Sequence, residues 1–466
     1  MCKSIQPSSL VGDQREYSTM EGPVILLTGV TGLLAKVVLE ELFREDDLQL
    51  AKVFVLVRPK RGQHPQARFY EKVVPSLCFQ NLPPGWQQRV EVVESELSAS
   101  RCGMDDITYQ RLQASVTHII HCAGSVKFDS PILDAFNANI TSGLNILQFA
   151  KDCRRSPRLT HISTAYVTPH SVGPLYETLP TLPKPATGLY EDVLSGKMSE
   201  EEVLSLANLP NTYTVSKAIT EHLMTERRAH VPLTIIRPSI ISASRQFPFP
   251  GWIDSHAAFA GFVCAIGGGV LHVVAGNPTT ILDIVPVDDV ARLIIDEALR
   301  PRKRSQEATI LYAVAGLNHG MCLEEAANMI VDFFHDIGRS RKPWLSYVGS
   351  RNASFFFYEF LAQTLPLKMA SLWFSVCGDA KKSRAMEALR NKLCDINAAF
   401  AYFTHNSFDF RPSERLLDGF DPVIYGKVVC YGALQHLMAH ESIKERKFDF
   451  LDETGVSGRP LAKSML

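Results

Sequence analysis

The chain has 466 residues, 46% of them hydrophobic, which is enough for two or three domains with sizeable buried cores. Its 48 Lys and Arg nearly balance 49 Asp and Glu, which argues against a nucleic-acid-binding protein, because that class carries a basic excess. The 10 cysteines form no Cys-x-x-Cys pair, so we expect neither a metal site nor a disulfide framework, and a reducing compartment is favoured.

The N-terminal residues 1–20 are polar, so we predict a flexible tail rather than a secretory signal. Two later apolar stretches, 257–275 and 355–376, are long enough to be tested as membrane spans. We predict no clear transmembrane helix in either, because the first is broken by four glycines and the second carries charges and a proline. The second stretch opens with Phe355-Phe356-Phe357-Tyr358, which fits an acyl-chain cap, a peripheral contact with lipid, or a domain interface.

Short apolar runs alternate with amphipathic segments along the first third of the chain. The predicted strands there are 24–27, 53–57, 90–93, 116–120 and 159–162. Their apolarity is continuous and helical segments separate them, so we predict an α/β fold with a Rossmann-type doubly wound parallel sheet. Later strands are predicted at 234–236 and 282–285, with a return to the sheet at 307–315.

A turn rich in small residues follows the first predicted strand. Gly29, Gly32 and Ala35 would let the backbone turn tightly and let a pyrophosphate approach the start of the next helix. We therefore predict a dinucleotide site here, with a plain turn as the alternative. Its residues are Thr28, Gly29, Thr31, Gly32, Leu33 and Leu34.

The ends of the second and third strands indicate which dinucleotide binds. Arg58, Lys60 and Arg61 stand where an acidic residue would bind a ribose 2′-hydroxyl, so they favour a 2′-phosphate and hence NADPH. The alternative is that these are solvated loop charges. Glu96 and Leu97 follow the third strand, where a contact to adenine is expected.

Tyr213 and Lys217 are four residues apart, which on a helix places both side chains on one face. The Lys ammonium can then lower the pKa of the phenol and stabilise the tyrosinate that remains after proton donation. Ser163 and Thr164 end a strand about 50 residues earlier, and a hydroxyl there would bind a substrate carbonyl oxygen. A strand-end cap is the alternative for these two hydroxyls.

Together these segments resemble the extended short-chain dehydrogenase/reductases and, more narrowly, the fatty acyl-CoA reductases. The resemblance covers roughly residues 22–440. It rests on the turn at 28–35 and on the segments 121–129, 163–166, 211–217, 236–240, 250–254, 283–288, 402–404 and 408–410.

The resemblance implies roles for individual residues. Tyr213 would be the proton donor, Lys217 its partner and a contact to the nicotinamide ribose, and Thr164 or Ser163 the carbonyl-orienting hydroxyl. Asn139 would shape this site, although alone it could equally cap a turn. The residues implied to line the cofactor are Cys122, Ala123, Gly124 and Pro238.

The domain boundaries follow from the same resemblance and from the break in pattern near 337–343. We expect an NADP-binding reductase domain at 21–337, a smaller helical domain at 338–448, and a tail at 449–466. The final Ser464-Met465-Leu466 resembles the peroxisomal Ser-Lys-Leu address, so we expect a peroxisomal location or one on the cytoplasmic face, with an ordinary frayed tail as the alternative.

The activity implied is reduction of a long-chain fatty acyl-CoA by NADPH to a primary alcohol through a bound aldehyde, with release of CoA. Such an enzyme would serve lipid metabolism, including fatty alcohol and wax ester biosynthesis. Three alternatives stay open: a thioester reductase that releases aldehyde or uses a carrier-bound acyl group, a sugar-nucleotide epimerase or hydroxysteroid dehydrogenase, and a non-catalytic NADP-binding regulator. The oligomeric state cannot be read from the sequence.

Overall fold

The computed structural model describes residues 22–438 except 61, 172, 301–306, 339–345, 415 and 418. The predicted tails, Arg61 and the terminal Ser-Met-Leu lie outside the described residues. The predicted domain boundaries stay predictions.

A parallel sheet of seven strands forms the centre of the described structure, in the order β12-β7-β5-β4-β1-β2-β3. Its strands are β1 Val24–Thr28, β2 Lys52–Val57, β3 Val90–Glu94, β4 His118–His121, β5 Arg158–Ile162, β7 Leu233–Pro238 and β12 Thr309–Ala313. The doubly wound parallel sheet is therefore confirmed, as is the return of the chain to this sheet after residue 307.

Helices cover both faces of the sheet, which is why β1 is buried at all five positions. The helices up to residue 227 are α1 Leu33–Arg44, α2 Pro65–Lys72, α3 Asp106–Ser115, α4 Ile132–Phe136, α5 Ser142–Asp152, α6 Ala186–Leu194, α7 Glu200–Ala207 and α8 Thr212–Arg227. Those that follow are α9 Phe259–Gly267, α10 Val287–Leu299, α11 Leu323–Asp336, α12 Ala353–Glu359, α13 Leu365–Val376, α14 Ala380–His405 and α15 Pro422–Gly432. Three π-helical turns extend or join them, at Asn137–Thr141, Phe360–Thr364 and Ala433–Leu437.

Short two-stranded ladders join the later part of the chain to the sheet region. The pairs are β6 Pro174–Leu175 with β15 Asp409–Phe410, β8 Ile240–Ser242 with β11 Ile284–Pro286, β9 Val273–Ala275 with β14 Tyr347–Gly349, and β10 Ile281–Leu282 with β13 Met321–Cys322. The helical segment after residue 346 is thereby fixed to the region that carries the main sheet.

Two predicted strands differ from those in the structure. The run at 116–120 begins later, because Val116 ends α3 and Thr117 connects it to β4. The run at 282–285 is divided between β10 and β11, which lie outside the main sheet. The division falls at Asp283, whose buried carboxylate accepts hydrogen bonds from the amides of Ala315 and Gly316 at 2.9 and 2.8 Å.

The two apolar stretches are used differently from membrane spans. The first forms the short helix α9 and then the buried strand β9. Among the described residues no helix is long and apolar enough to cross a bilayer. In the second stretch Phe355 is fully buried beside Val273 and Ala275, so this side chain belongs to a packed interface, while Phe356 and Phe357 are exposed.

Candidate active site

The turn between β1 and α1 has the shape that a dinucleotide requires. Gly29 has a φ of +81°, and a Cβ there would lie 2.8 Å from the backbone nitrogen of Ala123. The amide of Gly32 donates to the carbonyl of Gly29 at 2.8 Å, and α1 starts at the next residue without a side-chain cap. Thr31, Leu33 and the rest of this turn therefore present backbone N–H groups at a helix start, where a pyrophosphate can bind.

Thr28 supports this turn from inside the protein. Its side chain is fully buried, and its Oγ1 accepts a hydrogen bond from the amide of Ala123 at 3.0 Å. The same oxygen lies 2.8 Å from Nδ1 of His121. Burial lowers the pKa of His121 to about 3, so its imidazole is neutral at pH 7. Thr28 thus joins the ends of β1 and β4, where the strand order of the sheet reverses.

The cationic cluster after β2 is larger than the sequence indicated. Arg58 and Lys60 are exposed at the end of β2. Arg68, from α2, is buried and donates a hydrogen bond to the carbonyl of Arg58, while its Nε has no partner among the described residues. Sequence reasoning missed Arg68, although a charged residue beside the buried Phe69 is a usable signal.

The segment after β3 lies at the same edge of the sheet. The carbonyl of Leu97 accepts a hydrogen bond from the Asn145 side chain at 2.8 Å, which fixes the loop against α5. Glu96 is exposed and accepts from the hydroxyl of Ser98 at 3.0 Å.

Tyr213 and Lys217 lie in the first turns of α8, as their spacing predicts. Asn211 caps this helix by accepting from the amide of Thr214 at 2.9 Å. The buried Lys217 ammonium donates to the carbonyl of Ile162, the last residue of β5, at 2.8 Å. Burial lowers the pKa of Lys217 to about 8, and the carboxylate of Glu221 opposes that shift.

The two hydroxyl residues after β5 have different partners. The buried Thr164 side chain accepts a hydrogen bond from the amide of Tyr166 at 3.4 Å, as a strand-end cap does, and it also lies within reach of the phenol of Tyr213. Burial raises the pKa of Tyr213 to about 12, and the bond from Thr164 opposes the shift, so the phenol is protonated at pH 7. Ser163 is also buried, but its hydroxyl has no partner among the described residues.

Asn139 joins the loop after β4 to α8. Its Oδ1 accepts from the amide of Ser125 at 2.8 Å, and its Nδ2 donates to the hydroxyl of Ser216 at 2.8 Å. A Cβ on Gly124 would lie 2.8 Å from that Oδ1 and 3.3 Å from Nζ of Lys217. The residues 122–124 therefore connect the glycine turn to the Lys217 ammonium.

Pro238 ends β7 on the other side of β5, paired with Ala313 of β12. The preceding Arg237 forms a fully buried ion pair with Glu221, with an Nε to Oε1 distance of 2.9 Å. This pair fixes α8 against β7. The structure thus gathers at one edge of the sheet the glycine turn, Asn139, Thr164, Tyr213 and Lys217.

Comparison with known proteins identifies the family. The model of an NAD-binding family described as male sterility protein matches residues 27–294. The chain belongs to this family.

The named relatives of this chain are reductases. Fatty acyl-CoA reductase 1 of Gallus gallus is 33% identical over 284 residues, which cover 60% of this chain and 55% of that protein. Fatty acyl-CoA reductase 2 of Homo sapiens is 26% identical over 412 residues, covering 86% of this chain and 79% of that protein. The match to the chicken protein thus spans about half of its length.

A solved structure of similar fold is the terminal R domain from the myxalamid PKS-NRPS biosynthetic pathway. It has a TM-score of 0.61 and 20% identity, and the alignment covers 91% of this chain and 96% of that domain. The likeness supports the Rossmann-type fold. A nicotinamide cofactor fits this chain, because the tight turn at Gly29 and the uncapped start of α1 suit a pyrophosphate.

Aromatic side chains cover the phenol of Tyr213. The ring of Phe128 stacks on that of Tyr213, with 5.9 Å between centroids. On α14, Phe400 and Phe403 approach Phe128 with centroid distances of 5.6 and 5.4 Å, and Phe262 of α9 contacts Phe400 at 5.2 Å. Phe128 and Phe403 stand in the sequence motifs at 121–129 and 402–404 without being assigned to the site, whereas Phe262 and Phe400 were missed from the sequence. The helical segment after residue 346 therefore contributes directly to the wall of the site.

Proposed function

We propose that this chain is an NADPH-dependent fatty acyl-CoA reductase that forms a primary alcohol. The observation that carries this proposal is the placement of Tyr213, the buried Thr164 and the buried Lys217 at the edge of the sheet that also holds the glycine turn. The names of the relatives agree with it, and the aromatic wall beside the phenol suits an acyl substrate.

The hydroxyl pair defines where the carbonyl oxygen of the thioester would lie. Two O–H groups that converge on one point stabilise the negative charge that forms on this oxygen. The reduced nicotinamide, when bound, supplies a hydride to the carbonyl carbon. Tyr213 then gives its proton to the oxygen, and the Lys217 ammonium stabilises the tyrosinate that remains.

The product of this step is a hemithioacetal. Its hydroxyl proton returns to the Tyr213 phenolate as the C–S bond breaks. The CoA thiolate leaves, takes a proton from solvent, and the aldehyde stays bound. Reduction of this aldehyde to the alcohol would require a second reduced nicotinamide and a second proton from Tyr213, which is then protonated again from solvent. Each cycle therefore consumes two NADPH and releases one CoA.

Two arginines support the choice of NADPH over NADH. Arg58 is exposed at the end of β2, and the buried Arg68 donates a hydrogen bond to its carbonyl, while the Nε of Arg68 has no partner among the described residues. Burial lowers the pKa of Arg68, and repulsion by the charge of Arg58 lowers it further. The dianionic 2′-phosphate of NADPH would relieve that repulsion and supply the missing hydrogen-bond partner.

The aromatic wall supports an acyl substrate over a sugar nucleotide. Phe128, Phe400 and Phe403 present carbon surface next to Tyr213 and only weak hydrogen-bonding capacity. A sugar would need polar partners there, because a buried hydroxyl without a partner is costly. An acyl chain instead gains about 0.8 kcal/mol for each methylene buried against such a wall.

The proposal is tested by incubating the purified protein with NADPH and acyl-CoAs from about eight to eighteen carbons, a range over which methylene burial discriminates strongly. Products are separated by gas chromatography and free thiol is titrated. We expect primary alcohol, with two NADPH oxidised per CoA released. Aldehyde with one NADPH per CoA would restrict the activity to the first reduction, and no oxidation with any acyl-CoA would refute the proposal.

The cofactor preference has its own test. Arg68→Gln should raise the KM for NADPH at least about tenfold, since a charge-assisted bond to phosphate is lost, and leave the KM for NADH unchanged. Arg89→Gln is the control, because Arg89 is the last residue of the short helical turn Trp86–Arg89 before β3 and donates to the carbonyl of Leu50 at 3.4 Å. Equal effects of Arg68→Gln on both cofactors would contradict a role in binding the 2′-phosphate.

A further inference from the structure

The helices α13 and α14 form an antiparallel hairpin whose root is at the active site. Ser371 and Ser383 face each other near the tip with 3.0 Å between their hydroxyl oxygens. At the root, Phe403 of α14 packs edge-on against the buried ring of Tyr166, with 4.9 Å between centroids. The loop at Cys377 to Asp379 joins the two helices at the opposite end of the hairpin from that root.

The outer side of α13 is apolar, which reverses the usual pattern of a surface helix. Met369, Leu372, Trp373 and Val376 follow the spacing i, i+3, i+4 and i+7, so they form one stripe. Between 62% and 76% of each of these side chains is exposed. The polar Ser371, by contrast, is buried against α14. An exposed apolar stripe of this kind is typical of a surface that contacts a membrane or another protein.

Exposed basic residues flank this stripe in the sequence. The hairpin tip, defined here as residues 368–384, contains four Lys and Arg and one acidic residue, although the whole chain has a formal net charge of −1. The exposed basic residues of the tip are Lys368, Lys381, Lys382 and Arg384. The acidic residue, Asp379, is bound by Lys382 at 3.0 Å, which leaves the others to define the charge of the surface.

We propose that the hairpin tip inserts its apolar stripe into the surface of a membrane that contains anionic lipid. Trp373 and the aliphatic residues would lie at the boundary between headgroups and acyl chains, the region that Trp prefers. Lys381 and Arg384 would lie among the phosphate and carboxylate headgroups. A bilayer that contains anionic lipid can bind both the apolar stripe and the basic residues of the hairpin tip.

The test measures binding of the full chain to phosphatidylcholine vesicles with and without phosphatidylserine, in the absence of acyl-CoA and NADPH. We expect binding that is stronger with phosphatidylserine, and quenching of Trp373 fluorescence by lipids brominated near the headgroup. The double variant Leu372→Ser/Trp373→Ser should lower the partition coefficient at least about tenfold, because two large apolar side chains no longer enter the bilayer. Lys381→Gln/Arg384→Gln should lower it about fivefold per charge removed, and only in vesicles with phosphatidylserine.

Ile107→Ser is the matched control, since Ile107 on α3 is 77% exposed and lies outside the hairpin. It should bind vesicles as the wild type does, and all variants should keep the wild-type unfolding temperature. Absence of vesicle binding by the wild type, or equal binding by Leu372→Ser/Trp373→Ser, would overturn the proposal. A concentration-dependent dimer that the same double variant dissociates, without any vesicle binding, would assign the stripe to a second copy of the chain. Because no substrate is present, these outcomes are independent of the proposed reductase activity.

Discussion

Replacing Gly29 by alanine tests whether the turn after β1 is shaped to hold a cofactor. The backbone of Gly29 has a φ of +81°, which costs about 1–2 kcal/mol for a residue with a Cβ. The new Cβ would also lie 2.8 Å from the nitrogen of Ala123, while ordinary contacts begin at 3.4 Å, so the segment must move by about 0.6 Å.

Gly316 offers a matched control for this strain. Its φ is +79°, and a Cβ there would meet no atom within 4 Å. Gly316→Ala should therefore carry the backbone cost alone, whereas Gly29→Ala should lose about 1–3 kcal/mol more stability through the clash. The displaced segment holds Cys122 to Gly124, so Gly29→Ala should also weaken NADP⁺ binding at least about tenfold.

The assays are urea unfolding for stability and isothermal titration calorimetry for NADP⁺ affinity. Equal losses of stability in the two variants would show that the clash is absent. Unchanged NADP⁺ affinity in a folded Gly29→Ala protein would refute the assignment of this turn to the cofactor.

Three further predictions follow from the buried groups around Tyr213. Lys217 is charged below its pKa of about 8, so kcat/KM should be level at lower pH and fall as pH rises through about 8; a level profile to pH 9.5 would contradict its role. Glu221→Gln leaves the buried guanidinium of Arg237 unpaired, so chemical unfolding should show a loss of about 3–5 kcal/mol, and a loss below about 1 kcal/mol would argue against this ion pair. Phe128→Leu removes an aromatic stack worth about 0.5–1.5 kcal/mol, so kcat/KM should fall about two- to twelvefold at an unchanged unfolding temperature, and an unaltered kcat/KM would rule out this contribution.

The central sheet was readable from the sequence because its strands are buried on both faces. Runs such as 24–27 and 53–57 are apolar at every position, and only a parallel sheet between two helical layers produces that pattern. The run at 282–285 has the same appearance, but it forms two short strands. Its division depends on hydrogen bonds that the Asp283 carboxylate accepts from backbone amides more than 30 positions away. The local sequence pattern does not predict such distant contacts.

The local pattern identified the two site residues that share one helix, whereas Asn139 was identified by the family resemblance and Phe400 was missed. The spacing of Tyr213 and Lys217 on one helix identified them. The approach of Phe400 and Phe403 to Phe128 depends on where α14 docks, so it leaves no trace in the local sequence.

The same limit applies to the segment that opens with Phe355, for which the sequence leaves an acyl-chain cap, a lipid contact and a domain interface open. Four consecutive aromatic residues show that the segment is apolar, but not which of its side chains face inward. In the structure Phe355 packs against β9, while Phe356 and Phe357 are exposed.

The most direct test of the account is the rate of acyl-CoA-dependent NADPH oxidation by Tyr213→Phe. The phenol is the proton donor in this account, so the rate should fall at least about 10²-fold while NADP⁺ affinity stays within about twofold of the wild type. Tyr176→Phe, at an exposed tyrosine, should retain the full rate. A wild-type rate in folded Tyr213→Phe would contradict the assignment of Tyr213 and, with it, the proposed mechanism.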